Sequence, residues 1–189
     1  MNAAELINFG SEKLKKQNIL SYHIDSEILL STALGKSRET ILVNLNRKID
    51  SEKIIKFKKL INRRACNEPI AYILSEKEFW SKKFVVNSST LIPRPETEMM
   101  VEKLIEIYKR KNISILDIGT GSGCILISIL CELKKSSGIG VDISKKALKI
   151  AKKNSKLHKI NHSVKFIHRS FDDIFNNKFD LIVSNPPYI

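Results

Sequence analysis

The chain has 189 residues, and 42% of them are hydrophobic, which suffices for an ordinary core. It contains no apolar run long enough to span a membrane and no secretory signal. The net charge of +13 comes mostly from lysines spread along the chain, so direct nucleic-acid binding is not the favoured interpretation, although contact with a ribosome- or tRNA-related RNA stays open. Three widely spaced cysteines without a CxxC pair argue against disulfides and a zinc site and fit a reducing cytoplasm, with no metal and no membrane contact expected.

Residues 1–75 are predicted to form a small bundle of short helices. Gly35 ends the second helix, Ser37 opens a third, and Asp50 or Ser51 caps a fourth. Apolar stripes at helical spacing mark the first two helices. Their members are Ala3, Leu6, Ile7 and Leu14 in one and Ile24, Ile28, Leu29 and Ala33 in the other.

The residue pattern changes after residue 75. Aromatic and β-branched residues around a polar turn predict a β-hairpin, and we assign 76–90 to a hairpin linker. The segment Leu-Ile-Pro-Arg-Pro-Glu-Thr-Glu at 91–98 then forces extended backbone before a helix that runs to about Lys109. Strands are predicted at 113–118, 138–142, 164–168 and 179–184, with helices at 123–133 and 144–157. This alternation indicates a parallel sheet covered on both faces, so 91–189 is expected to be an α/β domain.

A glycine-rich turn follows the first strand of this domain. It consists of Gly119, Thr120, Gly121, Ser122 and Gly123. Such a turn lets a ligand approach the main chain, but dinucleotide-binding folds use a related one and some tight strand–helix turns bind nothing. Asp142, at the end of the next strand, can accept both hydroxyls of a ribose. Asp117 would attract the cationic groups of S-adenosylmethionine and repel a pyrophosphate, which makes S-adenosylmethionine the expected cofactor. Phe171, after the third strand, is expected to stack on its adenine, or else to belong to the core.

The tetrapeptide Asn185-Pro186-Pro187-Tyr188 follows the fourth strand. Its two prolines fix the backbone and remove two N–H donors, which leaves carbonyl groups directed outward. The side-chain oxygen of Asn185 and a prolyl carbonyl can accept both hydrogens of one planar NH2 group, and Tyr188 can close over that group. Such an arrangement favours charge build-up on the nitrogen as a methyl group arrives. This arrangement requires no metal. It also requires no general base at the outset, because the proton can leave the nitrogen during or after methyl transfer.

Together these motifs resemble the protein-(glutamine-N5) methyltransferases, the HemK/PrmC group, which modify peptide chain release factors. The resemblance spans nearly the whole chain and rests on 91–98, 116–123, 141–142 and 183–189. It implies a class I, Rossmann-like methyltransferase sheet, with a cofactor site that includes Asp117, the turn, Asp142, Phe171 and Asn185. It also implies a substrate, the glutamine of a Gly-Gly-Gln loop. The implied substrate contacts are Asn185, Pro186, Pro187, Tyr188 and, at the rim, Arg94, with Asn185, Pro186 and Tyr188 catalytic.

The resemblance further implies that the helical domain at 1–75 contacts the release factor. Arg94 and Glu96 are expected to brace the rim of the site, or else to form an ion pair that stabilises their loop. Ser170 departs from the family, which often has an acid at this position before the aromatic residue.

The class I sheet has seven strands, and this chain is expected to reach only the fourth, so we expect a fragment of a longer protein. Some relatives in AT-rich intracellular bacteria continue into a second domain that methylates tRNA guanine-N7. Two alternatives stay open beside glutamine methylation. One is amino methylation of adenine in DNA or RNA, because such enzymes share the tetrapeptide, and the other is an inactive fragment that only binds.

Overall fold

The structure is a computed structural model that describes residues 1–170 and 178–186. It divides into two compact units, Met1–Leu74 and Ser75–Ile189. Within the described residues, none of the helices is long and apolar enough to cross a membrane.

The first unit consists of helices. They are α1 (Ala3–Lys15), α2 (Tyr22–Leu34), α3 (Arg38–Leu42), α4 (Ser51–Ala65) and α5 (Ile70–Leu74). The first begins with a capping box, in which the Asn2 side chain accepts from the Glu5 amide and the Glu5 side chain accepts from the Asn2 amide. Gly35 ends α2 in the left-handed conformation, as the sequence predicted. The helices enclose one apolar core around Leu6, Leu29 and Phe57.

Burial along α2 differs from the predicted stripe. Ile24 is 49% exposed, whereas the next three residues, Asp25, Ser26 and Glu27, are buried. The polar side chains are accommodated by specific partners, since Arg64 Nε lies 2.7 Å from Asp25 Oδ2 and the Ser26 hydroxyl donates to the Ile7 carbonyl at 2.9 Å. Helical periodicity counts apolar residues only, so it could not show that this face is lined by paired polar groups.

The second unit begins with an antiparallel hairpin of β1 (Glu76–Phe79) and β2 (Lys82–Val85). Phe79 and Phe84 are fully buried in the core that also contains the central sheet, so the hairpin is part of this unit. Its turn residues, Trp80 and Ser81, have φ angles of +54° and +52°. Two positive φ angles in a two-residue loop match the twist of the flanking strands.

The remaining elements alternate along the chain. They are α6 (Glu96–Tyr108), β3 (Ser114–Ile118), α7 (Cys124–Glu132), β4 (Ser137–Asp142), α8 (Lys145–Leu157), β5 (Val164–His168) and β6 (Leu181–Ser184). The four strands β3 to β6 form one parallel sheet in the order β5-β4-β3-β6. This arrangement confirms the predicted α/β class, and it places the carboxyl ends of β3, β4 and β6 along one edge. In open sheets of this kind, ligands bind at that edge.

Candidate active site

The glycine-rich turn connects β3 to α7 and lies against β4. Gly119, Gly121 and Gly123 have φ angles of +70°, +55° and +78°, which side chains rarely adopt. The amides of Gly119 and Thr120 both donate to the Val141 carbonyl at 2.9 Å, so the turn is held onto the neighbouring strand. A Cβ atom on Gly123 would lie 2.9 Å from the Ile127 Cδ1 and 3.3 Å from the Ala151 Cβ, so a larger residue would require these neighbours to shift.

The Asp142 carboxylate is fixed at the end of β4 by two backbone amides. Its Oδ2 accepts from Gly121 at 2.9 Å, and its Oδ1 accepts from Ser144 at 2.8 Å. A carboxylate offers about four acceptor sites, so each oxygen keeps a further site for a ligand. The side chain is therefore both immobilised against the turn and able to accept hydroxyl groups.

Asp117 lies beneath the turn and is 1% exposed. The hydroxyl of Thr120 donates to its Oδ2 at 2.6 Å. The pKa of Asp117 is raised from 3.8 to about 7, chiefly by burial; the Thr120 hydrogen bond lowers this pKa and the nearby negative charge of Asp142 raises it. A cation bound near the turn would favour the charged form of Asp117. The site is therefore suited to a ligand that carries positive charge.

Gly140 makes room for the contact between Asp117 and Thr120. It is paired with Asp117 in the register of β3 and β4. A Cβ atom at this position would lie 2.9 Å from the Thr120 Oγ1 and 2.8 Å from the Phe166 ring. A side chain here would displace the hydroxyl that holds Asp117.

Asn154, on α8, joins the turn to the hairpin and is completely buried. Its Oδ1 accepts from the Val85 amide at 2.7 Å, and its Nδ2 donates to the Val85 carbonyl at 3.0 Å and to the Ser122 carbonyl at 2.9 Å. The carboxamide thus satisfies three backbone groups from two distant segments. It sets the position of Ser122 within the turn.

Asn185, the first residue of the tetrapeptide, directly follows β6. The strand registers pair Ile118 with Ser184, so Asn185 lies beside the start of the glycine-rich turn. Its Nδ2 donates to the Thr97 Oγ1 on α6 at 3.1 Å. The Ser184 hydroxyl donates to the Ile118 carbonyl at 3.0 Å, which ties the two strand ends together. Pro186 is described, whereas Pro187, Tyr188 and Phe171 lie outside the described residues.

The Pro93-Arg94-Pro95 loop leads into α6. Arg94 and Glu96, which were predicted to brace the rim of the site, are both exposed. Among the described residues, no ion pair joins Arg94 to Glu96, although the sequence left that pairing open. The following two residues make the contacts instead. Thr97 meets Asn185, and the Glu98 carboxylate accepts from the Trp80 amide at 3.0 Å.

Comparisons with known proteins agree with both units of the chain. The family model described as PrmC N-terminal domain matches residues 5–74, and one described as methyltransferase domain matches residues 109–187. A release factor glutamine methyltransferase of Buchnera aphidicola subsp. Baizongia pistaciae is 42% identical over 190 residues, which cover 100% of this chain and 68% of that protein. The chain belongs to the release factor glutamine methyltransferase family.

Two further relatives show how much of a longer protein the chain matches. The family member of Haemophilus influenzae is 41% identical over 204 residues, with 100% of this chain and 69% of that protein covered. A bifunctional methyltransferase of Rickettsia typhi is 40% identical over 205 residues. The match covers 98% of this chain but only 40% of the length of the Rickettsia protein. The predicted resemblance to the HemK/PrmC group is therefore confirmed.

Sequence reasoning about this family member missed two polar residues of the site. Asn154 stands in a lysine-rich helix, and Thr97 stands in the first turn of α6, close to Arg94 and Glu96, to which we assigned the bracing of the rim. The only available signal for Asn154 was its spacing, since it continues the buried stripe of Ala147 and Ala151.

Proposed function

We propose that this chain uses S-adenosylmethionine to methylate the glutamine side-chain amide in the Gly-Gly-Gln motif of peptide chain release factors. The observation that carries this proposal is the adjacency of β3 and β6, because it sets Asn185 beside the glycine-rich turn. A cofactor held at the turn and an amide held at Asn185 would then share one edge of the sheet.

The cofactor part of the proposal is supported by the chemistry of the carboxyl groups. Asp142 keeps acceptor sites for ribose hydroxyls, and Asp117 is placed to favour a cationic ligand. Gly119, Gly121 and Gly123 have backbone angles that side chains rarely adopt, and at Gly123 a Cβ atom would also lie 2.9 Å from the Ile127 side chain. When bound, S-adenosylmethionine would supply an electrophilic methyl group. We assign its binding to Asp117, the turn at 119–123, Asp142, Phe171 and Asn185.

The substrate part of the proposal concerns how an unreactive nitrogen is presented. An amide nitrogen is a poor nucleophile because its lone pair is delocalised into the carbonyl. Asn185 Oδ1 and the Pro186 carbonyl would accept its two hydrogens, fix its orientation and favour positive charge on the nitrogen. Pro187 would keep the backbone rigid, and Tyr188 would close over the amide plane. Arg94 is proposed to contact the substrate at the rim.

We propose that the segments of the chain have the separate functions that the sequence suggests. Residues 1–75 recognise the release factor, 76–90 form the connecting hairpin, and 91–189 bind the cofactor. The match of residues 5–74 to a PrmC N-terminal domain supports the first assignment. The reaction is proposed to take place in the cytoplasm, where release factors act. Contact with ribosomal RNA or tRNA is a further part of this proposal, supported only by the net charge of +13.

A methyl-transfer assay tests the proposed function. The full chain is incubated with labelled S-adenosylmethionine and a release factor, with the same release factor carrying a substituted Gly-Gly-Gln glutamine, or with tRNA or DNA. We expect label on the intact release factor alone. Label on nucleic acid and none on the release factor would favour the adenine-methylating or tRNA-methylating alternative.

Two substitutions separate the proposed roles within the site. Asn185→Ala is expected to remove most methyl transfer and to spare cofactor affinity more than Asp142→Ala does, because the side chain chiefly holds the substrate amide. Asp142→Ala is expected to weaken cofactor binding directly. Calorimetry measures both affinities, and an equal loss in the two variants would contradict these roles.

A further inference from the structure

The hydrogen bond between Thr97 and Asn185 joins residues that are 88 positions apart in the sequence. Asn185 Nδ2 donates to Thr97 Oγ1 at 3.1 Å. Thr97 is 9% exposed and lies in the first turn of α6. The bond joins two side chains and not two backbone groups, so it depends on the identity of both residues. It links α6 to Asn185.

Both partners of this link are fixed independently of it. The Thr97 amide donates to the Arg94 carbonyl at 3.0 Å, and Val101, one turn further along α6, is completely buried in the core. On the other side, Ser184 is held to the end of β3 through its hydroxyl. Thr97 therefore provides a stationary acceptor against which the Asn185 side chain is oriented.

The chemical consequence follows from the two unlike ends of a carboxamide. Its oxygen accepts hydrogen bonds, whereas its NH2 group donates two. The NH2 group of the substrate amide is a donor and needs an acceptor. If the Asn185 carboxamide were rotated by 180°, its own NH2 group would face the substrate NH2 group, and no hydrogen bond could form between them. The contact with Thr97 engages the Nδ2 end and leaves Oδ1 for the substrate.

We propose that Thr97 is a positioning residue for the methyl transfer, which acts by holding Asn185 with its oxygen toward the substrate amide. The proposal rests on the proposed function of Asn185. It also gives the segment at 91–98 a defined task, because the Pro93-Arg94-Pro95 loop delivers the helix turn that carries Thr97. The exposed Arg94 and Glu96 are not needed for this task.

The test compares Thr97→Val, which keeps the shape and removes the acceptor, with Thr97→Ser, which keeps the hydroxyl. Ser155→Ala is the control, because this buried residue of the same unit donates its hydroxyl to the Lys152 carbonyl of its own helix and has no assigned role in the site. For Thr97→Val we expect kcat for release-factor methylation to fall by about tenfold. The cofactor Kd and the melting temperature should match those of the control, and Thr97→Ser should recover most of the lost kcat.

Several results would overturn the proposal. A kcat of Thr97→Val equal to that of the control would show that the contact does not matter for transfer. A parallel loss of cofactor affinity and melting temperature would show a merely structural hydroxyl, as would failure of serine to restore kcat. Absence of methylation by the unmodified chain would instead count against the proposed function.

A measurement on the unmodified chain tests the contact without any substrate or substitution. In 15N-labelled protein, the Nδ2 protons of Asn185 should exchange with solvent more slowly than those of the exposed Asn161. Equal exchange rates would mean that the hydrogen bond to Thr97 does not persist, and the proposal would fail.

Discussion

Replacing Asn154 by alanine is expected to damage both the stability of the second unit and its glycine-rich turn. The substitution removes the partner of three backbone groups, the Val85 amide, the Val85 carbonyl and the Ser122 carbonyl. An unsatisfied buried polar group costs about 1–3 kcal/mol, and water can reach the partly buried Val85 groups, so we expect a total loss of about 3 kcal/mol. For a unit of this size that corresponds to a fall in melting temperature of about 10 °C.

The same substitution should weaken S-adenosylmethionine binding by about tenfold, because Ser122 is no longer anchored and the turn must be ordered by the ligand. Scanning calorimetry gives the melting temperature, titration calorimetry gives the Kd, and hydrogen exchange should show faster exchange of the Val85 amide. Asn161→Ala, in the exposed turn after α8, is the matched control. A melting temperature and a Kd indistinguishable from those of this control would refute the assigned role of Asn154.

Other predictions concern Asp117, Gly140 and Arg64. The pKa of Asp117 is about 7 in the folded chain against 3.8 ordinarily. The contribution of this group to the free energy of unfolding is therefore fully present below pH 3.8 and is lost as the pH rises through about 7. Denaturant titrations of Asp117→Asn should lack this decline with pH. S-adenosylmethionine should release a proton on binding near pH 7, which calorimetry in buffers of different ionisation enthalpy measures, and a buffer-independent heat would contradict it. Gly140→Ala should weaken cofactor binding by about tenfold with a smaller effect on the melting temperature, since the new Cβ atom displaces Thr120 from Asp117. Arg64→Ala should cost the first unit about 3 kcal/mol in chemical denaturation, because the buried carboxylate of Asp25 loses its cationic partner and keeps the weaker hydrogen bond from the Ser21 hydroxyl; a loss under about 1 kcal/mol would show that water replaces the pair.

Much of the fold follows from local patterns in the sequence. The strand–turn–helix signal at Gly119 and the alternation of later elements predict a parallel α/β sheet, and the observed strand bounds differ from the predicted ones by at most two residues. The helix that ends at Gly35 was likewise predictable, because a left-handed residue there favours glycine. These features depend on residues that are close in sequence.

Several residues of the candidate site were predictable because a backbone requirement selects them. The glycines of the turn are needed for positive φ angles, and Asp142 is placed by the end of its strand. Thr97 and Asn154 carry no such local mark, since a threonine in a helix turn and an asparagine in a lysine-rich helix are ordinarily exposed. Their importance arises from partners 88 and 69 positions away.

The sequence by itself determined the class of sheet, the position of the glycine-rich turn and the motif that ends β6. The tertiary structure decided which polar groups meet at the edge of that sheet and how each is held. It brought Thr97 into hydrogen-bonding contact with Asn185 and Asn154 into contact with the glycine-rich turn, and it raised the pKa of the buried Asp117 to about 7. The physical reason is that hydrophobic periodicity records which faces are buried, whereas the partner of a buried polar group depends on which distant backbone or side-chain atoms the fold brings within hydrogen-bonding distance.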